Sequence, residues 1–218
     1  MLVWWAPPSA EVVTLWALYR FLLSSAFVTI FFGFSCAQEV WELRKEEDSI
    51  RIYTSANSDS KIRVIKAEFT LRATREELFN ELLKADKYTE WQYNAIESVI
   101  LEKPSQSEVT YHALVSAPWP VANRDLVVYL KINNQSAKDE FTIETTGKPD
   151  YVPVRSGVVR VPVSNGFWKV KQVGPRMLKI MFTMRIDPGG YVPAWLVNLT
   201  LAQAPFQTFS KLKARLER

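Results

Sequence analysis

The segment that most constrains the fold is residues 187–198, which read Asp-Pro-Gly-Gly-Tyr-Val-Pro-Ala-Trp-Leu-Val-Asn. This order indicates a strand end, a glycine turn and a helix that begins at a proline, since proline is tolerated in the first helical turn. An apolar stripe at spacings of 4, 3, 4 and 3 then continues toward the C-terminus, formed by Trp195, Leu199, Ala202, Phe206 and Phe209. Pro205 inside this helix predicts a kink. Such a helix has to lie on a sheet, and what the protein does depends on whether it packs flush or leaves a cavity.

The chain after residue 37 reads mostly as strands. Alternation is clearest in residues 178–186, where every even position is apolar. Thr74 and Glu77 form a capping box that predicts a helix, and the spacing of Tyr88 and Trp91 indicates a second, short helical turn. Strands are predicted over 40–44, 50–54, 62–71, 96–101, 108–115, 126–132, 140–146, 167–171 and 177–186, with 155–162 as a further candidate. Strands, a helix, more strands and a closing helix indicate an α+β domain with an antiparallel sheet.

Residues 1–37 differ from the rest of the chain. An apolar run over 21–34 follows Arg20 and precedes small residues, which is the pattern of a signal peptide that is cut after residue 37. The run is short for a bilayer span, which needs roughly 20 apolar residues. A membrane anchor formed by residues 21–37 is one alternative, and a lipoprotein site at Cys36 is another. We therefore expect an exported protein, either periplasmic or secreted.

Composition limits the chemistry of the remaining domain, residues 38–218, which are enough for one substantial core. Cys36 is the only cysteine and His112 the only histidine, so the domain has no disulfide and no zinc site built from His and Cys. The formal net charge is +4, and Lys and Arg are spread along the chain rather than clustered, so a nucleic-acid interface is not indicated. We expect no metal or cofactor, and a monomer.

Local motifs carry a resemblance to a known family. The first helix is preceded by residues 64–68 and followed by Tyr88-x-x-Trp91. A later strand is preceded by Pro-Trp-Pro-Val-Ala-Asn-Arg-Asp at 118–125, and the last helix begins within residues 187–198. In this order they resemble the START (StAR-related lipid-transfer) domain, of bacterial type, in the helix-grip or Bet v 1-like superfamily. The resemblance implies a curved antiparallel sheet gripping a long C-terminal helix, with short helices between strands 3 and 4.

The resemblance also implies a hydrophobic tunnel between the sheet and the last helix, holding one lipid-like molecule. The loop around Trp119 and the closing helix would act as its gate. Any single inward-facing side chain is more simply explained as core, but a sheet crossed by a helix can hold a ligand in the gap. The candidates for the cavity lining are Tyr111, Trp119, Val128, Leu130, Trp168, Leu178, Ile180, Phe182, Met184, Trp195, Leu199, Ala202 and Phe206.

The adjacent charges Arg124 and Asp125 are expected to be structural loop anchors. Neighbouring residues on a strand point to opposite faces, so each is expected to fix the loop around Trp119 through a partner of its own. Some family members that carry sterols place a buried acid–arginine pair at the cavity end. That pair cannot be placed here, because the strand after Arg124 and Asp125 reads Leu-Val-Val-Tyr-Leu.

Three functions fit these patterns. The leading one is a carrier or sensor, without enzymatic activity, that binds a lipid or other hydrophobic molecule and opens at a membrane surface. A polyketide cyclase/aromatase-like or hydrolytic enzyme would need converging titratable groups, for which His112, Tyr111 and Tyr129 are the candidates. His112 is expected to face solvent if Tyr111 faces inward. An interaction module with a filled core is the third possibility, and it would have no pocket.

Overall fold

The structure of the chain, a computed structural model, describes residues 40–55, 63–134 and 139–218, without the side chains of residues 194, 195, 198 and 199. Within it, Glu39–Arg218 form one structural unit. The leader predicted over residues 1–37 lies outside the described residues. None of the described helices is both long enough and apolar enough to cross a bilayer.

Ten strands, two α-helices and a 3₁₀ helix make up the described part of the chain. In chain order they are β1 (Trp41–Glu47), β2 (Ile50–Ser55), β3 (Arg63–Leu71), α1 (Arg75–Leu83), the 3₁₀ helix (Ala85–Glu90), β4 (Ala95–Ser105), β5 (Glu108–Val115), β6 (Arg124–Asn133), β7 (Glu140–Gly147), β8 (Val159–Arg160), β9 (Val163–Gly174), β10 (Met177–Asp187) and α2 (Ala194–Leu216).

The strands form one curved, mostly antiparallel sheet. Its order is β1-β2-β3-β10-β9-β7-β6-β5-β4, and the short β8 pairs in parallel with the start of β6. β10 therefore lies between β3 and β9, although β3 is far from β10 in the sequence. The predicted architecture is confirmed: a long C-terminal helix closes the sheet, and the short helices lie between β3 and β4.

α1 begins at the capping box that the sequence predicts. The Thr74 side-chain oxygen accepts a hydrogen bond from the backbone N–H of Glu77 at 3.2 Å, and the Glu77 carboxylate accepts one from the backbone N–H of Thr74 at 2.7 Å. Both N–H groups would otherwise lack a partner within the helix. The reciprocal bonds fix the direction in which the chain leaves β3.

The 3₁₀ helix is held by the aromatic pair that follows α1 in the sequence. The Tyr88 hydroxyl donates to the carbonyl of Leu82 at 2.6 Å. The Tyr88 and Trp91 rings meet edge to face with their centroids 4.9 Å apart, and both residues are buried. The two aromatic side chains therefore share one side of this segment, as their spacing predicted.

The turn that leads into α2 requires glycine. Gly189 and Gly190 have φ values of 67° and 59°, a region that residues with a side chain rarely adopt. A β-carbon on Gly189 would lie 2.8 Å from the carbonyl oxygen of Arg160 in β8. The Asp187 carboxylate accepts a hydrogen bond from the backbone N–H of Gly189 at 2.9 Å. This close approach brings the start of α2 against the edge of β8.

α2 packs flush on the sheet only toward its C-terminal end. The Phe209 ring centroid lies 4.6 Å from that of Phe69 and 5.2 Å from that of Phe182, and Leu212 is fully buried. The Lys213 ammonium donates to the carbonyl of Thr70 at 3.1 Å, which ties the last turns to β3. Closer to its N-terminus, the helix borders an open space instead.

Candidate functional site

A cavity of about 670 Å³ lies between the sheet and α2. Inward-facing side chains of the curved sheet line it, chiefly Ile65, Tyr111, Ala113, Val128, Leu130, Trp168, Phe182, Met184 and Ile186. The helix covers it with Leu196, Val197, Thr200, Leu201, Ala204, Pro205, Thr208 and Phe209. Most of these side chains are apolar. The helix thus stands clear of the sheet over its N-terminal and middle turns, which is the arrangement that leaves room for a ligand.

The structure brings together part of the residue set predicted to line a cavity. Those that lie in the cavity wall are Tyr111, Val128, Leu130, Trp168, Phe182 and Met184. They come from β5, β6, β9 and β10 of the one sheet, and the residues on β6 and β10 follow the predicted period-two alternation. The side chains of Trp195 and Leu199 lie outside the described part of the structure.

Four other predicted residues are placed elsewhere in the packing. Leu178 and Ile180 share a face of β10 with Phe182, but Ile180 is paired with Phe69, whose ring contacts Phe209. Protein atoms fill the space there, so Leu178 and Ile180 belong to the solid core. Phe206 turns toward β1, where the Lys45 ammonium lies 4.1 Å from its ring centroid, and Ala202 packs beside the core outside the cavity wall.

Trp119 lies on the outside of the loop that joins β5 to β6. It is 91% exposed, whereas its neighbours Ala117 and Pro118 line the cavity. The loop is closed by a hydrogen bond from the backbone N–H of Ala117 to the side-chain oxygen of Asn123, at 3.1 Å. Tyr191, in the segment before α2, is 86% exposed beside the lining residue Val192. Two exposed aromatic side chains therefore adjoin residues at the same end of the cavity.

Arg124 connects these two segments from inside the protein. Its guanidinium donates to the carbonyl of Ala122 at 2.5 Å, to that of Pro188 at 3.4 Å and to that of Gly189 at 3.3 Å. The residue is 9% exposed and forms part of the cavity wall. Burial lowers the pKa of this guanidinium. Arg124 thus links the end of the Trp119 loop to the turn that precedes α2.

Asp125 points to the opposite face of the sheet and anchors a different segment. Its carboxylate is fully buried and accepts two hydrogen bonds from the Arg160 guanidinium, at 3.0 and 2.8 Å. Arg160 also donates to the carbonyls of Pro149 and Val152. Burial raises the pKa of Asp125, but hydrogen bonds and charge from Arg160 and His112 outweigh it and lower the pKa. Asp125 therefore secures the segment between β7 and β8 rather than the Trp119 loop.

His112 differs from the sequence-based expectation of a surface histidine. It faces away from the cavity, as the alternation of β5 predicted, yet it is only 5% exposed. Its Nε2 atom lies 3.3 Å from a carboxylate oxygen of Asp125. Tyr151 and Arg155, in the segment between β7 and β8, donate hydrogen bonds to Glu102 and Glu97 on the neighbouring strand β4. The partners around His112 come from other elements, so the local alternation of β5 could not reveal its burial.

The three residues considered for acid–base chemistry do not converge. Only Tyr111 lines the cavity; His112 lies behind the sheet, and Tyr129 interacts with Glu108 on the outer surface. Burial raises the pKa of Tyr111, against the opposing effect of a hydrogen bond with Gln92, so the hydroxyl stays protonated at neutral pH. Among the described residues, no cluster of His, Asp or Glu is placed to hold a metal ion.

One polar part of the lining follows the 3₁₀ helix. It includes Gln92, Tyr93 and Asn94, next to the buried Tyr88 and Trp91. The backbone N–H of Tyr93 donates to the Thr208 hydroxyl at 3.1 Å, which ties this segment to α2. Sequence patterns assigned none of these residues to the cavity, because a short 3₁₀ helix followed by a turn has no regular apolar period. The only signal was the spacing of Tyr88 and Trp91.

Comparison with known proteins identifies the family. A family model of the START domain matches residues 34–218. An uncharacterised protein of Pseudomonas aeruginosa is 28% identical over 183 residues, covering 83% of this chain and 88% of that protein. The phosphatidylcholine transfer protein of Bos taurus is 24% identical over 162 residues, covering 72% of this chain and 75% of that protein. The crystal structure of a STAR-related lipid transfer protein fragment from Xanthomonas axonopodis is 30% identical with a TM-score of 0.72, covering 82% of this chain and 99% of that one. The chain therefore belongs to the START domain family.

Proposed function

We propose that this protein binds a single lipid or similar hydrophobic molecule in the cavity beneath α2 and carries or senses it. The observation that supports this most is the space itself. Its volume of about 670 Å³ falls within the roughly 300–1,000 Å³ typical of small-molecule sites. The names of the bovine and Xanthomonas relatives, a phosphatidylcholine transfer protein and a STAR-related lipid transfer protein, point to the same class of ligand.

The apolar lining is sufficient to explain affinity for an acyl chain, and no catalytic group is needed for binding. Burying one methylene group of an acyl chain contributes about 0.8 kcal/mol. Roughly ten buried methylenes would offset the translational and rotational freedom that a ligand loses on binding. Trp168, Phe182 and Met184 are among the large side chains on the sheet side of this space, and methionine adapts readily to different ligand shapes.

The proposed gate is formed by the Trp119 loop and the start of α2. Trp119 and Tyr191 are exposed next to residues of the cavity wall, and both aromatic types favour the boundary between water and lipid headgroups. At a membrane surface, lipid would replace the water that otherwise meets the apolar lining when the gate opens. The pattern of residues 1–37 favours a site of action outside the cytoplasm, with the leader cleaved or kept as an anchor.

A cavity-filling variant tests this proposal with little risk to the fold. Ala204 lines the cavity from α2, whereas Ala214 is exposed on the same helix. Ala204→Phe should reduce the uptake of a fluorescent fatty acid about tenfold or more, a loss of roughly 1.4 kcal/mol of binding free energy, because the new ring occupies ligand space. Ala214→Phe should bind like the unmodified protein. Uptake that is the same in both variants and in the unmodified protein would rule out this cavity as the binding site.

A further inference from the structure

The charged side chains in the described part of the cavity wall are all cationic. Among the described residues that line it, the charged side chains are Arg63 and Arg124, and no Asp, Glu or Lys is present. The rest of the wall is apolar apart from neutral hydroxyl, phenol and amide groups. A wall of this kind disfavours a ligand whose buried end is cationic and favours one that is anionic.

Both arginines lie at the same end of the cavity. Arg63 is the first residue of β3 and is paired with Ile186, near the end of β10. Arg124 donates to the carbonyls of Pro188 and Gly189, which follow directly after β10. This end also contains the first turn of α2, which has no acidic residue. Since a helix N-terminus carries a partial positive charge, its field adds to that of Arg124.

Arg124 is the more informative of the two arginines, because it is buried without a counter-ion. Three neutral carbonyl oxygens accept hydrogen bonds from it, and none of the described carboxylates forms an ion pair with it. A guanidinium has five N–H donors, so two of them have no partner among the described residues. A buried charge that is not paired is unfavourable, and an anion in the cavity would supply both the missing charge and the missing acceptors.

We propose that the ligand has an anionic head, a carboxylate or a phosphate, that binds against Arg124 at the α2 N-terminal end of the cavity. Its acyl chain then extends toward Trp168 and Phe209. Their ring centroids lie 5.5 Å apart where α2 meets the sheet. This inference rests on the proposed lipid-binding function and specifies the class of lipid. It gives Arg124 a ligand contact in addition to its three backbone contacts.

Paired ligands that differ only in the head test the inference. Oleic acid and oleyl alcohol have the same chain, and each can displace a neutral fluorescent probe at a pH where the acid is ionised. The protein should bind oleate about tenfold more tightly than the alcohol, and Arg124→Gln should make the two affinities equal, whatever the loss of its backbone bonds does to both of them together. Arg185→Gln, an exposed arginine on β10, should keep the preference. A second pair, lysophosphatidic acid and monoacylglycerol, shows whether phosphate or carboxylate is the favoured head.

Equal affinity of the unmodified protein for the charged and uncharged member of both pairs would overturn the inference while leaving the proposed function intact. So would an Arg124→Gln variant that loses affinity for acid and alcohol in parallel, since that is the behaviour of a purely structural residue. If this variant does not fold, the preference of the unmodified protein decides the question alone. Failure of all four ligands to bind would instead count against the proposed function itself.

Discussion

At the scale of single residues, the adjacent residues Arg124 and Asp125 have separate structural roles. Because they point to opposite faces of β6, Arg124 joins the cavity wall and Asp125 joins a polar cluster behind the sheet. Asp125, Arg160 and His112 are all nearly inaccessible to solvent in that cluster. The carboxylate holds the segment between β7 and β8 through Arg160, and Arg160 itself, in β8, lies close to Gly189 in the turn before α2.

The stability of this cluster should depend on pH through Asp125. The pKa of its carboxyl is below the ordinary value of 3.8, so its contribution is fully present above that value and is lost as the pH falls through the lowered pKa. Asp125→Asn should reduce the free energy of unfolding at neutral pH by about 3 kcal/mol, because Arg160 is left buried without its anion. Urea denaturation of both proteins should show this difference shrinking as the pH falls from about 5 toward 2.

The matched control is Glu108→Gln, because the Glu108 carboxyl also has a lowered pKa but lies near the surface beside Tyr129 and Lys131. Its substitution should change stability much less than that of Asp125. A difference between the unmodified protein and Asp125→Asn that stays constant down to the lowest pH would contradict the proposed role of the Asp125–Arg160 pair.

At the scale of elements, the proposed function makes the loop between β5 and β6 and the segment before α2 the two sides of the gate. Trp119 contributes nothing to the core, since 91% of it is exposed. A large exposed aromatic side chain on a loop that also lines a cavity is better explained by contact with another surface than by folding. Under the proposed function its expected contact is a membrane, from which the ligand would enter.

Trp119→Ala should slow the transfer of a fluorescent lipid between vesicles about tenfold, the rate change that corresponds to roughly 1.4 kcal/mol. Affinity for a ligand already in solution and the free energy of unfolding should stay unchanged, because the side chain packs against little else. Phe167→Ala serves as the control: Phe167 lies on β9 and is 38% exposed. If the two variants transfer lipid at the same rate as the unmodified protein, the loop is not the membrane-contacting element.

Elements were predicted well from the sequence where their signals are local. The capping box of α1, the alternation of β10 and the glycine turn before α2 each depend on a few neighbouring residues, and the structure confirms them. The burial of His112 was missed because its partner Asp125 lies on another strand and is itself bonded to Arg160, 35 residues further along the chain. The candidate strand over 155–162 is reduced to β8, which pairs with β6 through two residues.

At the scale of the whole molecule, alternation predicts which side chains face inward but not whether they meet protein or empty space. Ile180 and Phe182 occupy equivalent positions on β10, yet only Phe182 lines the cavity. The difference is made by α2, which closes onto the sheet at Phe209 and stands away from it toward the N-terminus. The position of that helix is a property of the complete fold and cannot be obtained from one strand.

The position of α2 explains how the domain combines a packed core with a cavity. Aromatic contacts among Phe69, Trp168, Phe182 and Phe209 close the far end of the cavity with centroid distances of 4.6 to 5.5 Å. These contacts hold the C-terminal turns of α2 against the sheet, whereas Arg124 bonds only to the turn that precedes the helix. We therefore expect opening to occur at the N-terminal end of the helix and not at its C-terminal end.

The most direct measurement is native mass spectrometry of the protein purified from its own host, followed by extraction and identification of whatever is bound. The account predicts one lipid-sized molecule per chain, strongly depleted in Ala204→Phe and retained by Ala214→Phe. A chain that carries no such molecule, and that takes up no added fatty acid or phospholipid, would contradict the claim that the space under α2 is a lipid site.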